Sequence, residues 1–379
     1  MMATKTVKEQ YNQLPRPTFH WMKANYLELD PMQDAPMKSY EPQERHTGDA
    51  VVSFGKENMI PDLGDFQGAN QDALKKAITA SDSHCHIDIG AQKKGAVWLV
   101  YTVSDAMPQI RGQLKITAGA GSDLTVYLLF DGGADNGLVN FLTYVKTENN
   151  AHVKISKVQL HDKNVRHIEH RYADAGKEST VDYVSAEIGA KTAVVYYKTD
   201  LMHDESNFNS QAMYLGNEDQ VVDFSYWVPT QGIKTNTDIV TTGALLDTSK
   251  KFFRGTIDFL RGGKKAVGSE SDTCILLSPH VHSISVPLLL CKEDDVVGNH
   301  ASSAGQIDKD KLFYLMSRGF SEAGAQLIIV ESNIRPVIDA IGDKDLENKA
   351  LQAVREKMQS CRQKGDCHVK CTKRFPHLD

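Results

Sequence analysis

The runs "NAHVKISKVQL" (Asn150–Leu160) and "STVDYVSAEIG" (Ser179–Gly189) decide the fold class. Each is rich in strand-forming residues, tends to alternate apolar with polar positions, and is bounded by Asn, Ser or Gly. Outward from them lie further runs of the same kind: "GAVWLVYTVS", "GSDLTVYLLF", "TAVVYYKTDL", "SNFNSQAMYLG", "DQVVDFSYWV", "TDIVTTGALL" and "RGTIDFL". Strands therefore dominate from about Ser83 to Cys291, and very few are joined by the Asn-Gly or Asp-Gly pairs of tight hairpins. Leu124, Val153, Val181, Phe208 and Ile239 recur at a spacing of roughly 28 residues, which suits the coils of a solenoid whose alternate residues share one continuous core. An antiparallel sandwich or barrel satisfies the same strand count.

Flanking compositions differ. Residues 1–82 are mixed, punctuated by Pro15, Pro17, Pro31, Pro36 and Pro42, with a helical pattern at Asn70–Ala80. Beyond Ser302 helices take over. Asp308 reads as a cap for a helix with Leu312, Phe313, Leu315 and Met316, stopped at Gly319. Ser321 caps a second helix ended by Pro336, and Asp345 starts a third with Leu351, Val354 and Met358 on one side. The expected units are 1–82, a β core over 83–302, and a helical domain with a Cys-containing tail over 303–379.

The chain has 379 residues and a formal net charge of -6, which argues against a nucleic-acid or anionic-membrane binder. No signal-peptide core and no membrane-span window are found, so a cytoplasmic protein is expected. Six scattered cysteines suit reduced thiols rather than a disulfide framework. "RGGKKAVG" (Arg261–Gly268) is not a P-loop, and GxSxG, HExxH and paired CxxC are lacking. The pairs His84/His86 and His280/His282 have strand spacing for adjacent ligands, although ordinary strand histidines are the plainer reading. His161, His167 and His170 are more scattered still. Cys361, Cys367, His368 and Cys371 are close enough to share one ion, but their spacing matches no known site and a solvated tail is expected. His300, between small residues, is expected on a short strand-to-helix connection.

The stretch "DDVVGNHASSAGQIDKDKLFYLMSRGFSEAGAQLIIV" (Asp294–Val330) closely resembles the C-terminal signature of the SufB/SufD family of iron-sulfur cluster assembly scaffolds. "FRGTIDF" (Phe253–Phe259) resembles that family's F-x-G-x-I strand, and "RPTFHWMKANYLEL" (Arg16–Leu29) its N-terminal region. The resemblance implies a right-handed parallel β-helix between helical regions and a subunit that is not itself an enzyme. It also implies the SufD branch, since Asp272 stands where SufB-type chains carry a scaffold cysteine and Ala301 where they carry a glutamate. On the same basis His300 is the interface residue for iron or a transient cluster, with Asp272 and Cys274 as further candidates. Leu312, Phe313, Tyr314 and Arg318 match the region that binds a SufC-type ABC ATPase. A SufB-type chain is the implied partner, with a flavin as a further candidate in the intact complex that the sequence leaves open; the alternative is a homodimer that builds the cluster itself.

Overall fold

The computed structural model describes residues 8–17, 23–31 and 33–363, with side chains as far as Gln359. A short antiparallel pair, β1 (Glu9–Tyr11) and β2 (Leu27–Leu29), comes first. Then follow β3 (Gln43–Gly48), β4 (Val51–Gly55) and helix α1 (Gln71–Thr79), whose first turn is capped by the Asn70 side chain. The stacked strands are β5 (Ser83–Ile89), β6 (Lys94–Val103), β7 (Gln109–Ala118), β8 (Asp123–Gly132), β9 (Gly137–Thr147) and β10 (His152–Gln159). They continue with β11 (Val165–Asp174), β12 (Thr180–Glu187), β13 (Thr192–Asp200), β14 (Asn207–Gly216) and β15 (Val221–Thr230). The last are β16 (Asn236–Leu245), β17 (Lys250–Phe259), β18 (Ala266–Leu276), β19 (His282–Cys291) and β20 (Val296–Gln306). Helices α2 (Lys309–Ser317), α3 (Glu322–Asp339) and α4 (Lys344–Gln363) complete the described chain.

From β5 onward each strand pairs in parallel with the strand two places along, giving eight even-numbered strands that end at β20 and eight odd-numbered strands that end at β19; β3 and β4 bring the two sheets to nine strands each. This is a parallel β-solenoid with two strands per coil, not a sandwich of antiparallel sheets. Leu124, Val153, Val181 and Phe208 lie in direct register; Ile239 falls two residues beyond the next register partner, Thr237, and so keeps the same face. At the far end β3 and β4 fold back antiparallel onto β6 and β5.

The corners explain why hairpin signals are missing. Ahead of each even strand from β6 to β18 one residue takes a left-handed backbone: Gln92, Gly121, Asn150, Glu178, Glu205, Lys234 and Lys265, with φ between 57° and 67°. Such a conformation costs about 1 kcal/mol for most side chains. The corner N–H groups offset it by stacking: Asn150 donates to the Lys177 carbonyl, Glu178 to Asp204, Glu205 to Ile233 and Lys234 to Lys264. Only one of the seven is glycine, so the corners leave little trace in the sequence.

The lumen is lined by alternate residues such as Val126, Ile155, Tyr183, Phe208, Phe224 and Phe253. At mid-height it turns polar. Lys157 lies between Glu169 and Glu187, 2.5 Å from the latter, and Arg171 pairs with Glu169 at 2.5 Å while lying over the rings of Tyr183 and Tyr197; all four charged side chains are wholly buried. Burial opposes ionisation of Glu169, but Arg171 and Lys157 override it and hold the carboxyl well below the usual range. His167 faces this cluster, and burial lowers its pKa against the raising pull of Glu169. His170 faces outward beneath the N-terminal segment, where Nδ1 accepts from the Ala69 N–H.

Outside the lumen, α1 and Phe66 cover the odd sheet through Leu138, Leu142 and Tyr196. Helices α3 and α4 cover the even sheet through Val330, Ile334, Leu351, Val354 and Met358, packed on Val158, Val184, Met213 and Leu215. Helix α3 runs through Pro336, where the sequence predicts its end: Val337 and Ile338 beyond it are buried in this cluster, and their packing outweighs the lost backbone bond.

Lys357 of α4 reaches the Ile188 and Leu215 carbonyls at two solenoid corners. Burial lowers its pKa to about 7. Because the folded value is depressed, the unfolded chain binds more protons between pH 7 and the free-lysine value of about 10.4, and stability rises with pH across that window. Wild type should therefore gain about 2 kcal/mol over Lys357→Met between pH 7 and 9, read from urea midpoints; a constant difference would show that Lys357 stays charged in the fold.

Candidate functional site at the open end of the solenoid

The connection expected around His300 is instead the last strand. His300 pairs with Glu270 of β18, Ser302 with Asp272 and Ala304 with Cys274, and no described strand covers the outer side of β20. The small-residue run "GNHASSAG" lacks the apolar alternation of a covered strand because this strand is exposed from Val297 to Gln306. A Cβ at Gly298 would meet Phe259 Cε2 at 3.2 Å and Leu289 Cδ1 at 3.1 Å, so this row of β20 faces the lumen. His300, Ser302 and Ala304 continue the row at a period of two.

Beneath them, Glu270, Asp272 and Cys274 form the corresponding row of β18, all buried. The three site residues expected from sequence, His300, Asp272 and Cys274, thus share one face of the terminal coils. Their environments differ. Asp272 is ion-paired to Lys251, which reaches it from β17 across the lumen. Burial pushes the Cys274 thiol up, with Tyr214, Lys251 and Ser283 opposing. Glu270 has no ion pair, and burial pushes it up to about 8, only the Leu288 backbone N–H opposing. The sequence reading missed Glu270, although the alternation that ties Asp272 to Cys274 also includes it.

Among the described residues no group of three or more His, Cys, Asp and Glu is placed to hold a metal ion. His84 and His86 are half-buried on β5, with His86 Nε2 3.1 Å from Thr117 Oγ1, and His280 and His282 are exposed. Cys85, Cys274 and Cys291 carry free thiols. Cys367, His368 and Cys371 lie outside the described residues, as does the side chain of Cys361.

Helix α2 stands beside this end. Asp308 caps it by accepting from the N–H groups of Asp310 and Lys311. Leu312 is half-buried, while Phe313 is 72% exposed, with Tyr314, Met316 and Phe320 also open to solvent. Arg318 closes the helix with its guanidinium 5.1 Å over the Tyr314 ring. No helix among the described residues is long and apolar enough to cross a membrane.

Residues 101–333, the greater part of the solenoid with α2 and most of α3, match the family model for the SUF system FeS cluster assembly SufBD core domain. The chain belongs to the SufBD family. It is similar to the iron-sulfur cluster assembly protein SufD of Bacillus subtilis (strain 168), 23% identical over 76% of this chain and 66% of that protein. A SufBD family protein of Staphylococcus saprophyticus is 25% identical over 49% of this chain and 40% of its own length. A SufBD family protein of Mycobacterium tuberculosis is 23% identical over 49% and 22%. The chain thus spans less than two thirds of the length of each of these relatives. SufBD membership fits a scaffold for iron-sulfur cluster assembly.

Proposed function

We propose that the protein is a SufD-type subunit of a cytoplasmic SUF scaffold complex, pairing with a SufB-type chain along β20 and offering His300 to iron or a nascent cluster at that interface. The observation that carries this reading is the edge itself. A strand of this length whose outer edge is left open and lined with small residues is an aggregation hazard unless a partner strand covers it. Main-chain hydrogen bonds along such an edge supply affinity, and the small side chains admit close approach. Imidazole is a borderline ligand suited to iron, and an exposed imidazole at a strand edge is reachable from both chains. The iron and sulfur are cargo, and ATP turnover is assigned to a SufC-type ABC ATPase.

The same reading assigns ATPase docking to α2. An exposed Phe313 and Tyr314, with Arg318 held over the Tyr314 ring, have the composition of interface hot spots. Phe313→Asp and Tyr314→Asp should each lose at least about 2 kcal/mol of binding and fail to co-purify with the ATPase, while circular dichroism still reports the β-solenoid. Retained co-purification by both variants would remove α2 from the interface.

A homodimeric scaffold is the second reading, favoured by Cys274 lying on the same lumen face as His300. Reconstitution of the purified chain alone discriminates: cluster absorbance without a SufB-type partner supports the homodimer, and its appearance only with that partner supports the heterodimer.

A further inference from the structure

The lumen-facing carboxylates are not treated alike. Glu169 and Glu187 share Lys157, with Arg171 on Glu169, and Asp272 has Lys251. Glu270, two residues before Asp272 on the same row, is 1% exposed and has no ion pair, the Leu288 backbone N–H being the one polar group that opposes its burial. The fold makes room for it all the same. A Cβ on Gly255 of β17 would lie 1.9 Å from Glu270 Oε2, so that glycine opens the space into which the carboxylate extends across the lumen. A buried carboxylate accommodated by a missing side chain and given no cation costs stability in the isolated chain. What distinguishes Glu270 from its neighbours is position: its register partner on the last strand is His300, on the same lumen-facing row.

We propose that Glu270 is a second protein ligand for the ferrous ion handled at His300, so that this chain contributes an imidazole and a carboxylate, stacked one strand apart, to a site completed from outside it. The inference rests on the scaffold reading in which His300 binds iron. Carboxylate and imidazole are both suitable donors for Fe2+, and adjacent parallel strands about 4.8 Å apart set their side chains at a spacing that one ion bridges. Two donors fall short of a closed site, which agrees with the lack of any three-ligand group among the described residues. They leave positions open for sulfide and for the partner, as a site that must release its cargo requires. Asp272 is excluded from this role by Lys251, and Cys274 lies further along the row, opposite Ala304.

The test is an anaerobic titration of the full-length chain with Co2+ alone, read by its visible absorption, together with co-purification with the SufB-type partner. Wild type should bind one ion. Glu270→Gln and His300→Ala should each weaken binding about tenfold or more. The urea midpoint of Glu270→Gln should not fall, since the amide keeps the shape and discards an unpaired acid. Wild-type affinity in Glu270→Gln, with binding lost in His300→Ala, overturns the role of Glu270 and leaves the scaffold reading standing. Wild-type affinity in His300→Ala, or no binding by wild type, overturns the two-donor site together with the assignment of His300 beneath it. Normal Co2+ binding by Glu270→Gln with loss of co-purification would mean that the carboxylate pairs with a base of the partner, and would also overturn the proposal.

Discussion

Lys157→Met is expected to destabilise the solenoid by about 3–5 kcal/mol, more than any surface substitution. The ammonium lies between Glu169 and Glu187 with none of the three side chains exposed. Its removal strips Glu187 of its ion pair and leaves Glu169 to Arg171 and His167. An apolar side chain of similar length fills the space but cannot solvate two carboxylates. The control is Lys234→Met, where the pair with Glu205 is about half exposed on both sides and about 0.5 kcal/mol is expected. Urea midpoints at an unchanged m-value measure both. A loss below about 1 kcal/mol for Lys157→Met would show that the lumen carboxylates take up protons instead of standing ionised and unpaired.

His300→Ala should abolish cluster assembly and leave the fold intact. The residue is exposed on an edge strand of small neighbours, so its truncation costs about 1 kcal/mol or less. Subunit pairing through the β20 backbone should survive as well. Iron and sulfide content of the purified complex is the readout. His300→Cys should restore part of it, because a thiolate ligates iron, and His300→Lys should not. A wild-type content in His300→Ala would reduce the residue to an ordinary edge side chain.

The architecture was legible where one residue type repeats on one face. The in-register series from Leu124 to Phe208 carried the coil spacing, and the caps at Asp308 and Ser321 placed two helix starts. Alternation failed where the lumen turns polar. In "RHIEHRY" (Arg166–Tyr172) the inward positions are His167, Glu169 and Arg171, so a reader who equates polar with outward inverts the strand. It failed again at β20, whose side chains carry no burial pattern because nothing among the described residues covers them. Within the site, His300 and Asp272 were reachable only through the family resemblance, and Cys274 because it lies two residues from Asp272 on the same strand face. Glu270 was not singled out because its meaning depends on Gly255, fifteen positions earlier and on the other sheet.

The two ends of the rod are unlike, and this sets how many copies can join. At one end β3 and β4 are short, reversed in direction, and bear Glu44, Arg45 and His46, so a further strand finds a blunted template. At the other, β20 presents an open row of peptide groups. A body with a single adhesive end has a valence of one: two such ends meeting consume each other and growth stops at the pair. Parallel stacking, which in fibrils propagates without limit, is here terminated by two backward-running strands, one on each sheet, some forty residues from the start of the sequence.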